Sequence, residues 1–467
     1  MANDDVPEMF YFPVAGRGEL CRLISTVGGL KLDDTFPGLP SRSKDFCVFG
    51  QLPTLRHGDL MLAQSGAMQK YLAAIAPLYA SLSPEQRAID DMFAAIKEDV
   101  VTHFDDNPIT LQAFRVFENV LPDDGFVLGL QFPTVADLTI LYMLESSGFK
   151  PELKKAGVEL DNFPKTKALW HRTKCVPSVQ QYVVTSTTLP VTIHTGFVCK
   201  ILCTLLGIKC CGCRSTRRLE VDEGAGHSQA FFLQAPLQSC EVSSAGPPEM
   251  FYFPIAGRGE LSRLICAAGS LDLRVTFPGK GYEDKVGFFG KLPTLKHGEI
   301  SLCQSGAIET YLAAISPKFK GLTVRQRAVD NMYIHTKEDI LSVCAKVVYG
   351  DDAVKRRAKE TVSKVFDKFL GPIDRMVPTK GFINGEAFPT VADLALLNLL
   401  EATMPFGQAA SLAGGINFQE RFPKAYALVQ RTKQATGVQE YLEASTSMKA
   451  APYVNEGRTV CLKQVHQ

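Results

Sequence analysis

The chain has 467 residues, of which 46% are hydrophobic and 21% are charged, with 50 basic and 49 acidic side chains. This length predicts about two to four domains, the near-neutral charge argues against a dedicated nucleic-acid-binding protein, and the abundance of large apolar residues argues against disorder. The opening MANDDVPEMF lacks a basic segment followed by an apolar run, so we expect no secretory signal and a cytoplasmic protein.

Much of the sequence occurs as an internal repeat. MFYFPVAGRGELCRLI from Met9 matches MFYFPIAGRGELSRLI from Met250 at all but two positions. QLPTLRHGDLMLAQSGAMQKYLAAIAP from Gln51 likewise matches KLPTLKHGEISLCQSGAIETYLAAISP from Lys291, and FPTVADL occurs in both halves. A period of about 240 residues is too long for a solenoid unit and indicates two copies of a whole protein.

The first predicted elements of each copy are a strand and a helix. The strand covers Met9–Pro13 or Met250–Pro254, and apolar residues at helical spacing, from Leu20 to Val27 in copy 1, predict the helix. A second strand is expected at Leu32–Phe36, and the final two are expected at Thr54–Arg56 and Leu60–Leu62. This order predicts a small mixed sheet of about 80 residues.

Leu52-Pro53 stands just before the third predicted strand, where a proline would cost a ladder hydrogen bond. We therefore predict a cis peptide bond there. Ser65 is predicted to be the N-cap of the following helix, which runs through Ala76.

The remainder of each copy, after Pro84 or Thr323, is predicted to be helical. TVAD at Thr134 and Thr390 predicts a capping box that begins a buried helix. Copy 1 is shorter by 16 residues, because Ser65 to Thr134 spans 69 positions and Ser305 to Thr390 spans 85. Since a helix rises about 1.5 Å per residue, copy 1 lacks roughly 24 Å of helix.

The segment between the copies has no counterpart in either of them. Its Gly/Ser/Pro-rich part predicts a linker, and its apolar part falls short of the ~20 residues of a membrane span. A membrane-anchoring or palmitoylated segment is the alternative. Five of the 13 cysteines lie here, without the paired spacing of a zinc site, so we expect no bound metal; they are Cys199, Cys203, Cys210, Cys211 and Cys213. The others are scattered singly, which favours reduced, buried thiols.

The repeated motifs resemble those of the cytosolic glutathione S-transferases. The opening Y-F-x-x-x-G-R-x-E-L is similar to the sigma, tyrosine-type class, which includes the glutathione-dependent prostaglandin D isomerases, and the later motifs follow in the family's order. The resemblance implies an α+β repeat in which each copy is a thioredoxin-like βαβ-α-ββα domain followed by an all-helical domain. The implied domains are residues 7–80 and 84–184, a linker at 185–248, and residues 249–319 and 323–446.

The resemblance implies that Tyr11 and Tyr252 activate the thiol of glutathione. With a pKa of about 8.5 this thiol is mostly protonated at neutral pH, and only the thiolate is a good nucleophile. A tyrosine hydroxyl that donates a hydrogen bond to the thiolate lowers the thiol pKa. Arg17 and Arg258 are expected to supply a nearby cation.

The strand–helix loop holds neither cysteine nor serine, which argues against cysteine-type chemistry, and Cys21 is predicted to be a packing residue.

The implied glutathione-binding residues fall into three groups. Gln64, Ser65, Gln304 and Ser305 are expected to hold the γ-glutamyl carboxylate at a helix N-terminus. Leu52, Pro53, Leu292 and Pro293 are expected to present backbone groups to the cysteinyl part. Gln51, Lys291, Lys44 and Lys285 are expected at the glycyl end. The tryptophan of the sigma class is absent there, since Pro40 and Gly281 stand in its place.

The implied function is conjugation of glutathione, as co-substrate and without a further cofactor, to a small hydrophobic electrophile in detoxification. One alternative is a glutathione-dependent isomerase or peroxidase of lipid peroxides, like the prostaglandin D synthases. A non-catalytic ligand-binding or structural protein is the other. We expect intramolecular pairing of the copies or a homodimer, no nucleic-acid or membrane partner, and better catalysis by copy 2, since copy 1 is shortened where the electrophile pocket is expected.

Overall fold

The computed structural model describes residues 6–36, 48–102, 107–191, 246–277 and 291–450. The chain divides into two compact units that largely follow the two sequence copies. Each copy has a four-stranded sheet and a set of helices. Within the described ranges, no helix is both long and apolar enough to cross a membrane.

The first copy has its elements in the predicted order. They are β1 (Glu8–Phe10), α1 (Glu19–Val27), β2 (Asp33–Thr35), β3 (Thr54–His57), β4 (Leu60–Ala63), α2 (Ser65–Ile75), α3 (Pro84–Thr102), α4 (Asn107–Val120), α5 (Val135–Glu145), α6 (Lys150–Lys155), α7 (Pro164–Lys174) and α8 (Pro177–Thr185). Each of the first two strands is shorter than predicted. β1 stops before Tyr11 because the chain turns, and the Val14 N–H donates to the Phe12 carbonyl.

The second copy repeats this order and adds helices. Its elements are β5 (Glu249–Phe251), α9 (Glu260–Gly269), β6 (Arg274–Thr276), β7 (Thr294–His297), β8 (Ile300–Cys303), α10 (Ser305–Ile315), α11 (Val324–Tyr349), α12 (Asp352–Arg356), α13 (Ala358–Met376), α14 (Val391–Glu401), α15 (Gln408–Leu412), α16 (Phe418–Arg421), α17 (Pro423–Lys433) and α18 (Val438–Ala444). The described parts of α3 and α4 have 19 and 14 residues, against 26 in α11 and 19 in α13.

Both sheets have the same topology, with strand orders β2-β1-β3-β4 and β6-β5-β7-β8. The first strand is parallel to the second and antiparallel to the third, so that Met9 lies opposite Asp34 and Leu55. In copy 2, Met250 lies opposite Val275 and Leu295. The fold prediction of a thioredoxin-like sheet with following helices is therefore confirmed.

Two local backbone predictions are tested next to the third strand. The Leu52-Pro53 peptide bond is cis, as predicted, and so is Leu292-Pro293. The prediction that Ser65 is an N-cap is wrong, because Ser65 is itself the first residue of α2. Gln64 is the N-cap, with a positive φ of 71°, and Gln304 has the same φ. Such a conformation is uncommon for a residue with a side chain.

The capping boxes at the start of α5 and α14 are confirmed. A buried aspartate of the preceding long helix completes each of them. Asp90 accepts hydrogen bonds from the Thr134 hydroxyl at 2.7 Å and from the Ala136 N–H at 2.8 Å, and Asp330 does the same in copy 2. Burial raises the pKa of Asp90 and of Asp330 to about 7. These contacts join the central helices of each helical region.

The packed part of copy 1 continues past residue 184, up to which we predicted the helical domain. The Thr188 hydroxyl donates to the Glu19 carboxylate at 2.9 Å, and Leu189 is buried. Residues 192–245, with the clustered cysteines and most of the predicted linker, lie outside the described residues. The predicted domain boundaries therefore stay predictions.

Candidate active site

Each tyrosine that we predicted to activate a thiol lies just after the first strand of its sheet. Tyr11 and Tyr252 are only 5% and 7% exposed. The Tyr11 hydroxyl accepts a hydrogen bond from the Arg17 N–H at 3.1 Å. The Tyr252 hydroxyl accepts one from the Arg258 N–H at 2.8 Å. Both hydroxyl groups are thus held where the chain enters the first helix of the copy.

Glycines let the backbone lie directly against each tyrosine. A Cβ added at Gly16 would lie 2.5 Å from the Tyr11 hydroxyl oxygen, and one at Gly18 would lie 2.5 Å from the ring. At Gly257 and Gly259 the corresponding distances to Tyr252 are both 2.4 Å. Any side chain there would displace the tyrosine. This contact between the Gly-x-Gly pair and the tyrosine ring was not predicted from the sequence.

The protonation state of Tyr252 suits a hydrogen-bond donor. Burial raises its pKa to about 12, so the hydroxyl keeps its proton at physiological pH. The Arg263 guanidinium lies 5.6 Å from the centre of the same ring, as Arg22 does over Tyr11. A protonated phenol that already accepts a backbone N–H bond can still donate its own proton to an anion.

The two arginines contact the tyrosines through the backbone, and their guanidinium groups pair with carboxylates. In copy 2 the Arg258 Nε and Nη2 both lie 2.8 Å from Glu338 Oε1. In copy 1 the Arg17 Nε lies 3.6 Å from Glu98 Oε2. The positive charge of each guanidinium group is therefore shared with a carboxylate, Glu98 or Glu338. Neither carboxylate was predicted from the sequence.

One cavity of copy 1 brings together six of the predicted site residues. It is lined by Arg17, Gln51, Leu52, Pro53, Gln64 and Ser65. Gln51, Leu52 and Ser65 are each at least 93% buried. The start of α2 supplies N–H groups at this cavity, and such a helix end favours a carboxylate. Lys44, predicted at the glycyl end, lies outside the described residues.

The corresponding residues of copy 2 have the same local backbone. Leu292 and Pro293 form the cis peptide bond, Gln304 has the positive φ, and Ser305 is the first residue of α10. Lys291 is exposed to solvent. Lys285 lies outside the described residues.

The copies differ at one buried position beside the glycine loop. In copy 1, Tyr142 of α5 donates a hydrogen bond to the Gly16 carbonyl at 2.9 Å. Asn398 of α14 stands at the same place in the TVAD helix of copy 2, and its buried amide has no hydrogen-bond partner. Gly257 there has a φ of 60°, so the loop of copy 2 adopts a different conformation.

Lys-Glu-Asp occurs at the same helix position in both copies, at Lys97-Glu98-Asp99 and Lys337-Glu338-Asp339. This repeat is visible in the sequence of the two copies, but it was not predicted to be part of the site. Glu98 and Glu338 are the carboxylates that pair with the site arginines. Lys97 and Lys337 are almost fully buried beside them.

The chain is similar to proteins of one family. The model of the glutathione S-transferase C-terminal domain matches residues 107–186 and 338–445. A putative glutathione S-transferase alpha-2 of Dictyostelium discoideum is 28% identical over 160 residues, which are 32% of this chain and 80% of that protein. The rat glutathione S-transferase alpha-4 is 28% identical over 203 residues, covering 38% of this chain and 87% of that protein.

Solved structures are similar to this chain as well. The rat hPGDS complexed with a quinoline has a TM-score of 0.37 at 19% identity, covering 44% of this chain and 100% of that one. The structure of Leishmania TDR1, a trimeric glutathione transferase, has a TM-score of 0.34 at 13% identity, and the similarity covers 93% of this chain and 94% of that one.

Proposed function

This chain belongs to the cytosolic glutathione S-transferase family, and we propose that it conjugates the glutathione thiolate to small hydrophobic electrophiles at two sites, one in each copy. The model of the C-terminal domain matches one segment in each copy, which supports a transferase-like helical region in both. The observation that carries the proposal is the buried tyrosine whose hydroxyl accepts a backbone N–H bond, found twice at the same place in the fold. Glutathione and the electrophile are the proposed partners.

The proposed chemistry assigns one task to each group. The tyrosine hydroxyl donates a hydrogen bond to the glutathione sulfur, which favours the thiolate and releases the thiol proton to solvent. The sulfur lone pair then forms a bond to the electrophilic carbon. With an aryl halide, the halide leaves with the bonding electron pair. The cavity at Gln64 and Ser65 would hold the γ-glutamyl carboxylate, and the cis Leu52-Pro53 segment would hold the cysteinyl backbone.

Steady-state conjugation by the full-length chain tests this function. We expect catalysed conjugation of glutathione to a generic aryl halide, saturable in glutathione. Absence of catalysed conjugation would contradict the proposal. Turnover of a lipid hydroperoxide or endoperoxide without conjugation would assign the chain to an isomerase or peroxidase, and glutathione binding without any turnover would assign it to ligand binding.

A further inference from the structure

A fully buried ion pair lies behind the candidate site of copy 2. Lys337 of α11 and Glu309 of α10 are both 0% exposed, and the lysine Nζ lies 2.6 Å from Glu309 Oε1. The same Nζ is 3.9 Å from Glu338 Oε2. Lys337 is therefore hydrogen-bonded to Glu309, while Glu338 makes two close contacts with Arg258.

Copy 1 has the same lysine but a different partner for it. Gln69 occupies the position of Glu309, five residues after Gln64 as Glu309 is after Gln304. Gln69 is 2% exposed, and neither atom of its amide has a hydrogen-bond partner. Lys97 donates instead to Glu98 Oε1 at 2.6 Å. The glutamate-to-glutamine difference thus coincides with a change of partner for the buried lysine.

The two copies also differ in the contacts of the arginine whose backbone N–H binds the tyrosine hydroxyl. Glu98 contacts both Lys97 at 2.6 Å and Arg17 at 3.6 Å. Glu338 lies 2.8 Å from two nitrogens of Arg258. The backbone N–H groups of Arg17 and Arg258 are the donors to the tyrosine hydroxyls. In copy 2, residue 309 is therefore linked to the tyrosine through a lysine, a glutamate and an arginine. In copy 1 the corresponding contacts begin at the lysine.

A count of the charges near each site gives the expected direction of the change in the pKa of a bound thiol. With Glu309, the charges of Lys337 and Arg258 are balanced by two carboxylates. With Gln69, a neutral side chain stands in place of one of these carboxylates, which leaves one more positive charge than a glutamate at position 69 would. Because Lys97 is 1% exposed, its field is weakly screened.

Other groups face these lysines, and the exchange of residue 69 or 309 leaves them unchanged. Lys97 lies 5.9 Å from the centre of the Tyr142 ring. Burial raises the pKa of the Cys21 thiol of α1, and the charge of Lys97 partly offsets this rise. Ser262 replaces this cysteine in copy 2. The Arg22 guanidinium with its two carboxylates, those of Glu19 and Asp34, also lies near Cys21. A comparison within one copy therefore isolates the residue at position 69 or 309.

We propose that residue 69 in copy 1, and residue 309 in copy 2, is a positioning residue that sets the acidity of the glutathione thiol at its own site. Glutamate at this position neutralises the buried lysine and raises the thiol pKa. Glutamine leaves the lysine charge in place, turns it toward the next glutamate and lowers the thiol pKa. This inference rests on the proposed function and adds a difference in tuning between the two sites.

Reciprocal exchanges in the full-length chain test the proposal. Glu309→Gln is measured with Tyr11→Phe to silence copy 1, and Gln69→Glu with Tyr252→Phe to silence copy 2. The readout is the pH dependence of kcat/KM for aryl-halide conjugation. We expect the acidic limb to move down by about 0.5 to 1 pH unit for Glu309→Gln and up by about the same amount for Gln69→Glu.

Each copy contains the residue introduced into the other, so both exchanges reproduce a native combination. Gln69→Glu adds a partner for an existing buried lysine and keeps the test open if Glu309→Gln fails to fold. Glu360→Gln removes a solvent-exposed glutamate that pairs with Lys364, and it should leave the pH profile unchanged. If the chain conjugates glutathione but the acidic limbs of the pH profiles stay in place or move in the opposite direction, the inference is overturned. If the parent chain does not conjugate glutathione, the proposed function itself is overturned.

Discussion

The Tyr11→Phe/Tyr252→Phe double variant is expected to conjugate glutathione roughly 10- to 100-fold more slowly than the parent chain at neutral pH, because each site loses a hydrogen bond to a charged group worth about 1.5–3 kcal/mol. Each single variant should silence only its own copy. The loss should become smaller as the pH rises above about 8.5, where glutathione ionises without help. Initial rates from pH 6 to pH 9 measure both effects.

Tyr79→Phe is a matched control for this experiment. Tyr79 is fully buried, its hydroxyl has no hydrogen-bond partner, and copy 2 already has Phe319 at this position. Its removal should leave conjugation unchanged. An unchanged rate in the double variant would contradict the assignment of both tyrosines.

Glu260→Ala is expected to destabilise the second copy by about 3–5 kcal/mol, the usual cost of leaving a buried charge without its partner. Glu260 is 0% exposed and lies 2.8 Å from Arg263 Nη1. It also accepts hydrogen bonds from the Tyr441 and Ser447 hydroxyls. Arg263 in turn donates to the Phe253 carbonyl, next to Tyr252. Urea unfolding of the full-length variant, followed by circular dichroism, measures the loss.

The equivalent change in copy 1, Glu19→Ala, is expected to cost less. Arg22 there has a second carboxylate partner, Asp34, at 2.6 Å. Val275 replaces this aspartate in copy 2, as the strand registers show. A Glu19→Ala variant as destabilised as Glu260→Ala would contradict this account of the arginine network.

The sequence predicted the features that depend on local chemistry. The order of strands and helices along the chain, the cis Leu52-Pro53 bond and the capping boxes all follow from residues close together in the chain, and each motif occurs twice. The prediction for Ser65 was wrong by one residue, because the positive φ of Gln64 is not visible in residue types.

Side-chain partners were the part that the sequence could not provide. The resemblance to the transferase family implied a role for Arg17. The contact with Tyr11 is made by its backbone N–H, however, and its guanidinium pairs with a glutamate 81 positions further along. Lys97 pairs with Glu98 whereas Lys337 pairs with Glu309, and the residue that differs in copy 1, Gln69, lies on another helix. Such choices follow from packing between elements and not from any motif.

We propose that each copy ionises one bound glutathione through its own tyrosine. Equilibrium binding of glutathione to the full-length chain at neutral pH, read by the ultraviolet absorbance of the thiolate, distinguishes this mechanism from binding without ionisation. We predict two thiolates per chain, one lost in Tyr11→Phe and the other in Tyr252→Phe, with glutathione still bound in both variants. Bound glutathione that stays protonated in the parent chain, or a thiolate signal that survives loss of both tyrosines, would contradict it.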